Sequence, residues 1–130
     1  MKYVLFMVCL LSLWQAEAQK KYFNRTYTYL SSGSRVVEDT DKNFITIGGR
    51  YLQNLGVWER VFLKTNAYGD SLTVRQYPEY GIGYFSSLLP TEYGYAISGY
   101  LYINPSDEYS YRGFLLKIDE NGNPLQFAYT

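Results

Sequence analysis

An internal repeat is the feature of this chain that most constrains its fold. Residues 62–72 (FLKTNAYGDSL) align with residues 115–125 (LLKIDENGNPL) at an offset of 53 residues. Upstream, residues 40–48 (TDKNFITIG) align with residues 91–99 (TEYGYAISG) at an offset of 51. The change in offset predicts a two-residue insertion in the polar, turn-prone stretch 104–110. A repeat of this length indicates two copies of one structural unit that pack against each other.

Each copy has the composition of an antiparallel sheet. Short runs rich in Tyr, Phe, Val, Ile and Thr are separated by Gly, Asn, Asp and Pro. After the first 18 residues no stretch carries the apolar spacing of a helix, so we expect no helix there. A period of 51 to 53 residues is long enough for four strands with their connections. The predicted strands are Asn43–Gly49, Glu59–Thr65, Ser71–Gln76, Tyr93–Tyr102, Gly113–Ile118 and Pro124–Tyr129.

Glycines occur at equivalent positions of the two copies. Gly69 and Gly122 are expected in hairpin turns, where Asn121 and Gly122 would adopt positive φ angles. Gly48 and Gly99 are expected to end a strand where a side chain would crowd a neighbouring backbone.

The N-terminus predicts export. Lys2 precedes an apolar run from Val4 to Leu13, and Ala16–Ala18 has the small-x-small pattern that a signal peptidase recognises. Cleavage is expected between Ala18 and Gln19, which places the mature chain at the cell surface or outside the cell. The apolar run is shorter than the roughly 20 residues of a membrane span. Cys9 lacks the small preceding residues of a lipid attachment site.

Composition excludes several classes of function. The chain has no His, and its one Cys lies in the leader, so His- or Cys-based catalysis, zinc sites and disulfides are excluded from the mature part. The 12 basic and 12 acidic residues balance, which leaves no net field to hold nucleic acid or an anionic membrane. We therefore assign no catalytic residue, no metal ligand and no cofactor, and expect a protein that is not an enzyme.

The repeat resembles that of a known architecture. The pattern Gly94–Tyr100, followed by Phe114–Leu125, is similar to the blade repeat of secreted bacterial β-propeller proteins. In the first copy Asn43 and Asn66 replace the Gly and Asp of that pattern. The resemblance covers about residues 35 to 130, and Tyr22–Leu30 would be the last strand of a further blade.

The resemblance implies an all-β fold of two four-stranded antiparallel blades that form a partial propeller, preceded by a signal-peptide helix. The expected segments are a signal peptide (1–18), an N-terminal strand segment (19–33), blade 1 (34–80) and blade 2 (81–130). Closed propellers have at least about 4 blades. We therefore expect a fragment of a larger, type IX secretion-sorted protein, or an assembly of several copies. The alternative is an independent nine-stranded sandwich with an internal duplication.

Three groups of residues are candidate sites. Asp119–Asn123 places oxygen side chains at alternate positions, as calcium loops do, but the position of Gly122 and the following Pro124 favour a turn. Paired carboxylates are the enzymatic option that composition leaves open. No pair stands out among them, and they are Glu38, Asp39, Asp41, Glu79, Glu92, Asp107 and Glu108.

Tyrosines near predicted loops form the third group, and they suit either sheet packing, which we favour, or stacking on sugar rings. They are Tyr77, Tyr80, Tyr84, Tyr93, Tyr109 and Tyr111. Gly81–Tyr84 contains a Gly-x-Gly, but no predicted helix follows to bind a phosphate. Asn24–Thr26 matches a glycosylation sequon that matters only in a eukaryotic host.

The sequence thus predicts an exported, non-catalytic β-repeat module with a structural or interaction role. Its expected partners are further propeller blades or another copy of itself, and a surface glycan or protein. The alternative is a fragment of a carbohydrate-binding or carbohydrate-active surface enzyme.

Overall fold

Two four-stranded antiparallel sheets make up the protein, as seen in a computed structural model that describes residues 25–78, 83–102 and 110–130. The first sheet contains β1 (Ser32–Glu38), β2 (Phe44–Leu52), β3 (Val57–Thr65) and β4 (Ser71–Gln76). The second contains β5 (Gly83–Thr91), β6 (Gly94–Tyr102), β7 (Tyr111–Ile118) and β8 (Pro124–Tyr129). Each sheet follows the order of the chain, and the described residues contain no α-helix, which confirms the all-β prediction.

Some predictions from the sequence lie outside the described residues. These are the signal peptide (1–18) with its cleavage site, and most of the predicted insertion between β6 and β7.

The pairing of the strands confirms the duplication. Lys64 on β3 and Lys117 on β7 occupy the same place in their sheets. Their cross-strand partners are Ile45 and Thr73 for Lys64, and Ala96 and Gln126 for Lys117. These pairs keep the offsets of 51 and 53 residues found in the sequence, and the register shifts directly after both lysines.

The six strands predicted from the sequence are all present, but two more were not located. These are β1 and β5, the first strand of each sheet. The strand expected over Tyr22–Leu30 is wrong for its described part, because residues 25–30 contain a turn and β1 begins only at Ser32.

The core lies between the two sheets. From the first sheet Ile45, Ile47 and Phe62 are fully buried, and from the second Ile97 and Leu116 face them. Along each strand alternate residues point to the same face, so these side chains form one layer between the sheets. Removing one large apolar side chain from water stabilises the folded state by about 2 kcal/mol.

A buried arginine also joins the sheets. Arg60 on β3 is 2% exposed, and its guanidinium carbon lies 5.8 Å from the ring centre of Phe85 and 5.6 Å from that of Phe114. It donates a hydrogen bond to the carbonyl of Tyr77. The planar cation therefore lies against two neighbouring rings of the second sheet, a contact that suits arginine better than lysine.

The outer face of the first sheet is covered by the segment before β1. Val61 and Leu63 lie on this face and are buried. The segment is fixed along the sheet by hydrogen bonds from the Tyr27 hydroxyl to the Gly69 carbonyl and from the Ser31 amide to the Gly49 carbonyl. Further links are the ion pair of Arg25 with Asp70 and the contact of the Tyr29 and Ser71 hydroxyls.

The outer face of the second sheet is exposed in the described structure. We call it the open face, and by strand register its central part comprises Leu89, Ala96, Ser98, Leu115, Lys117 and Ala128. The same face continues at one end of the strands with Tyr84, Tyr100, Tyr102 and Tyr111. Leu89 is 62% exposed and Leu115 is 44% exposed. The corresponding residue to Leu115 in the first sheet is Phe62, which is fully buried. The same position in the repeat is thus core in one sheet and surface in the other.

Three hairpin loops share one five-residue structure, over residues 39–43, 66–70 and 119–123. In each loop a side-chain oxygen of the first residue accepts hydrogen bonds from the amides of the third and fifth. The fourth residue has a positive φ, at 65° for Lys42, 81° for Gly69 and 80° for Gly122. The glycine predictions hold for Gly69 and Gly122, whereas Asn121 does not share the positive φ.

Gly48 and Gly99 lie within β2 and β6, not at the strand ends predicted. The predicted crowding is confirmed, since a Cβ at either position would lie 1.9 Å from a backbone oxygen.

Replacing Lys42 by Gly is expected to stabilise the protein by about 0.5 to 1 kcal/mol. Lys42 holds a positive φ that a side chain disfavours, while its ion pair with Glu38 is exposed and contributes little. Urea unfolding measures the change. Lys42→Ala is the control, because it removes the same ion pair and keeps the strained backbone. Equal effects of the two substitutions would contradict the explanation.

Gly122→Ala is expected to destabilise the protein more than Gly56→Ala. Both glycines have positive φ, but a Cβ at Gly122 would lie 2.8 Å from a Phe62 ring carbon, whereas one at Gly56 meets only the Tyr51 hydroxyl at 4.0 Å. We expect a cost of about 1 kcal/mol at Gly56 from the backbone alone and about 2 to 3 kcal/mol at Gly122. Thermal unfolding followed by circular dichroism gives both values, and equal costs would argue against a tight contact between the sheets.

Candidate functional site

Four of the candidate carboxylates gather at one end of the sheets. Glu38, Asp39, Asp41 and Glu92 line a hollow together with Glu120. Lys64 and Tyr95 also line this hollow, between the β1–β2 and β5–β6 hairpins. Glu79, Asp107 and Glu108 lie outside the described residues. Among the described residues, the four carboxylates singled out in the sequence thus meet in this hollow.

Asp39 has a structural task in this hollow. Its Oδ1 accepts hydrogen bonds from the amides of Asp41 and Asn43, at 2.9 and 2.8 Å. Its Oδ2 lies 3.0 Å from Nζ of Lys64 and accepts a bond from the Asn43 side chain at 3.1 Å. Burial alone would raise the pKa of Asp39, but the hydrogen bonds from Asn43 and Lys64 outweigh it and lower the pKa. Both oxygens are thus committed to the loop and to the buried lysine.

Tyr95 is the other titratable group in the hollow. Burial raises its pKa to about 12, and the negative charges of Asp39, Glu120 and Asp41 act in the same direction. Its phenol therefore stays protonated at neutral pH. Its ring packs 6.0 Å from that of Phe62, which makes it part of the core as well as of the hollow.

The loop over Asp119–Asn123, for which the sequence favoured a turn over a calcium site, has the hydrogen bonds of a turn. Asp119 Oδ1 accepts bonds from the amides of Asn121 and Asn123, and its Oδ2 accepts one from the Asn123 side chain, all at 2.8 Å. Burial would raise the pKa of Asp119, but these bonds outweigh it and lower the pKa. The described residues contain no group of three or more acidic, His or Cys side chains placed to hold a metal ion.

The tyrosines chosen from the sequence have different environments. Tyr77 is buried, and its hydroxyl donates to the Gly122 carbonyl at 2.7 Å, so its role is packing between the sheets. Tyr93 is 71% exposed in the β5–β6 hairpin. Tyr80 and Tyr109 lie outside the described residues. Tyr84 and Tyr111 belong to a larger group of rings.

This group, which we call the aromatic ridge, is a series of neighbouring rings that crosses both sheets at the end opposite the acidic hollow. Its members are Tyr51, Trp58, Tyr84, Tyr100, Tyr102 and Tyr111. All six lie near the end of β2 or β6, or near the start of β3, β5 or β7.

Each ring of the ridge lies close to the next one along the surface. Ring centres are 5.4 Å apart for Tyr51 and Trp58, 6.4 Å for Trp58 and Tyr84, and 5.4 Å for Tyr84 and Tyr100. The series continues from Tyr100 to Tyr111 at 5.8 Å. The contact between Trp58 and Tyr84 joins the two sheets, so the ridge is continuous across the molecule.

The ridge is exposed although it adjoins the core. Tyr111 is 59% exposed, Tyr51 43% and Tyr84 38%. Burial and the neighbouring hydroxyls of Tyr102, Tyr84 and Tyr111 raise the pKa of Tyr100. Next to the ridge, Trp58 and Tyr84 border a groove of about 130 Å³ that is also lined by Ser32 and Ser34.

Four members of the ridge were missed in the sequence. The repeat carries a signal that identifies three of them, Tyr51, Trp58 and Tyr102, since the cross-strand pairs Tyr51–Trp58 and Tyr102–Tyr111 are equivalent at offsets of 51 and 53 residues. Tyr100 corresponds to Gly49 and has no such signal. All four residues lie in strands, whereas the candidate tyrosines were those beside predicted loops.

Acidification is expected to weaken the fold through Asp39. Its pKa is lowered in the folded state, so its stabilising contribution is complete above the ordinary value of about 3.9 and is lost as pH falls through the folded-state pKa. We expect the free energy of unfolding to fall more steeply below about pH 4 in the parent protein than in Asp39→Asn. Urea unfolding between pH 2 and 7 measures this slope. Asp41→Asn is the control, and a parent-like slope in Asp39→Asn would contradict the assignment.

Comparison with known proteins adds no relationship to these observations. No protein-family model matches the chain, and no curated protein matches it significantly. Within residues 25–78, 83–102 and 110–130, no helix has the length and apolar character needed to cross a bilayer.

Proposed function

We propose that this chain is an exported, non-catalytic β-repeat module whose open face is covered by another sheet of the same kind, as in a propeller. The single observation that carries the proposal is the exposure of Leu115 on the open face, where its counterpart Phe62 is core. The covering sheet comes from a further repeat or from a second copy of the chain. The chain itself has a structural or interaction role at the cell surface or outside the cell.

The way in which the two sheets already pack supports this proposal. The face of the first sheet that carries Phe62 and Lys64 packs onto the face of the second sheet that carries Phe114 and Leu116. In the repeat, Phe114 and Leu116 are equivalent to Val61 and Leu63, so the face that carries them corresponds to the outer face of the first sheet. The contact therefore joins two different faces of one unit. Such a head-to-tail contact does not close between two units and can be continued by a third.

The composition of the open face suits a further sheet. Leu89 and Leu115 project from it, and the short side chains of Ala96, Ser98 and Ala128 lie between them. Short side chains allow a covering sheet to approach closely, and the two leucines supply apolar area to bury. An exposed apolar patch on a sheet is a common feature of interaction sites.

A charge introduced on the open face tests the proposal. We expect the purified chain to associate at micromolar concentration, as measured by size-exclusion chromatography with light scattering. Leu115→Arg is expected to abolish this association. Val36→Arg is the matched control, because Val36 is also an exposed strand residue, at 61%, but lies outside the open face. A parent chain that remains a well-folded monomer at all concentrations would refute the proposal.

A further inference from the structure

We propose that the aromatic ridge binds a neutral, soluble polysaccharide made of pyranose sugars. Tyr84, Tyr100, Tyr102 and Tyr111 lie on the open face by register, at the end of the strands away from Lys117. Their repeat equivalents Tyr51 and Trp58 lie on the face of the first sheet that the second sheet covers, yet Tyr51 remains 43% exposed. A sheet that covers the open face in the same way therefore leaves the ridge accessible. The proposal rests on the exposure of the rings, their duplication in the two sheets and the absence of charge among them.

Exposure distinguishes these rings from the aromatic residues that fill the core. Phe62, Tyr77 and Phe85 are at most 5% exposed and lie between the sheets. Tyr51 and Tyr111 are 43% and 59% exposed, yet their rings stay in contact with neighbouring rings of the ridge. A cluster of rings left partly in water loses much of the free energy that full burial would provide. Packing alone therefore does not account for their number at this end.

The repeat gives each of the two sheets an aromatic cross-strand pair. Tyr51 faces Trp58 across β2 and β3, and Tyr102 faces Tyr111 across β6 and β7. Each sheet thus offers one aromatic cross-strand pair at the same end. Tyr84 and Tyr100 fill the space between the pairs and make the surface continuous. A binding surface that repeats with the fold suits a ligand that is itself a repeating polymer.

The chemistry of the ridge favours a neutral sugar. A pyranose ring has C–H faces that stack on aromatic rings, and its hydroxyls bond to phenol and serine hydroxyls. The six members of the ridge supply five phenol hydroxyls and one indole N–H, and none of them is an acidic or basic residue. Ser32 and Ser34 line the adjoining groove, where the Ser34 hydroxyl donates to the Ile47 carbonyl. Nothing in this set attracts an acidic polymer.

The tilt of the rings favours a soluble chain over a flat crystal. Neighbouring rings of the ridge are inclined to one another by 38° to 76°, so they do not form a planar platform. A single flexible chain can follow such a surface, whereas the flat face of a crystalline polymer contacts only one or two rings. We therefore infer that the ligand is a dissolved polysaccharide.

Affinity gel electrophoresis of the full chain tests this proposal. The gels contain laminarin, glucomannan, xylan, mannan or hydroxyethyl cellulose, and pectate and alginate represent acidic polymers. We expect at least one neutral polymer to retard the protein. Tyr111→Ala and Trp58→Ala are expected to weaken this binding about tenfold or more, as the loss of a stacking ring does. Pull-down with crystalline cellulose provides the comparison with a flat surface.

Matched controls separate binding from folding. Tyr93→Ala and Tyr68→Ala remove tyrosines that are 71% and 65% exposed but lie outside the ridge, and they should bind like the parent. If Trp58→Ala unfolds by circular dichroism, Tyr111→Ala decides, because its side chain is more than half exposed. Leu115 lies on the same face of β7 as Tyr111 but four residues away and outside the ridge, so Leu115→Arg should retain polysaccharide binding. Loss of association and loss of binding are thus measured on different variants. The ridge proposal is overturned if no neutral polymer binds, if only acidic or crystalline polymers bind, or if the controls lose binding equally.

Discussion

The requirement that a sheet with two apolar faces be covered on both sides governs this structure. β3 carries buried residues on both faces, with Phe62 toward the second sheet and Val61 and Leu63 toward the segment before β1. A single four-stranded sheet cannot bury both sides by itself, so its stability depends on what packs above and below it. In the first sheet both covers are present among the described residues, and in the second only the inner face is covered.

The same unit has been adapted to these two environments. At the positions where the first sheet has Ile45, Ile47 and Phe62, the second has Ala96, Ser98 and Leu115. The lysine shared by both copies shows the same contrast. Lys64 is buried and paired with Asp39, while Lys117 lies on the exposed face. The strand pairing is kept, and what changes is the side chains that meet a neighbour.

The repeat also gives the two ends of the molecule different chemistry. One end holds the hairpin loops with their capping Asp and Asn side chains and the acidic hollow around Lys64. The other end holds the aromatic ridge. Because each copy contributes to both ends, carboxylates that are distant in sequence meet at one end and rings that are distant in sequence meet at the other. The acidic end holds Asp39 and Lys64 in the fold, and the aromatic end is the surface for which we propose polysaccharide binding.

Sequence reasoning succeeded for strands with clear alternation and failed where other rules govern. β3 and β7 are defined by apolar runs that end in Asx loops, and both were located with their turns. β1 and β5 were missed because β1 begins with small residues around Gly33, and β5 contains Pro90, which a strand tolerates at the edge of a sheet. Of the tyrosines chosen near loops, Tyr77 proved to be core, because its place between the sheets depends on the contact with Gly122.

The amino-acid sequence alone determined the duplication, the strand-rich class, the position of most strands and the glycine turns. These depend on alternation and turn chemistry within a few neighbouring residues, which are legible without a structure. Only the tertiary structure decided which face of each sheet is covered, which carboxylates share the hollow and which rings form the ridge. Those outcomes depend on the stacking of residues roughly fifty positions apart, and local sequence preferences carry no information about it.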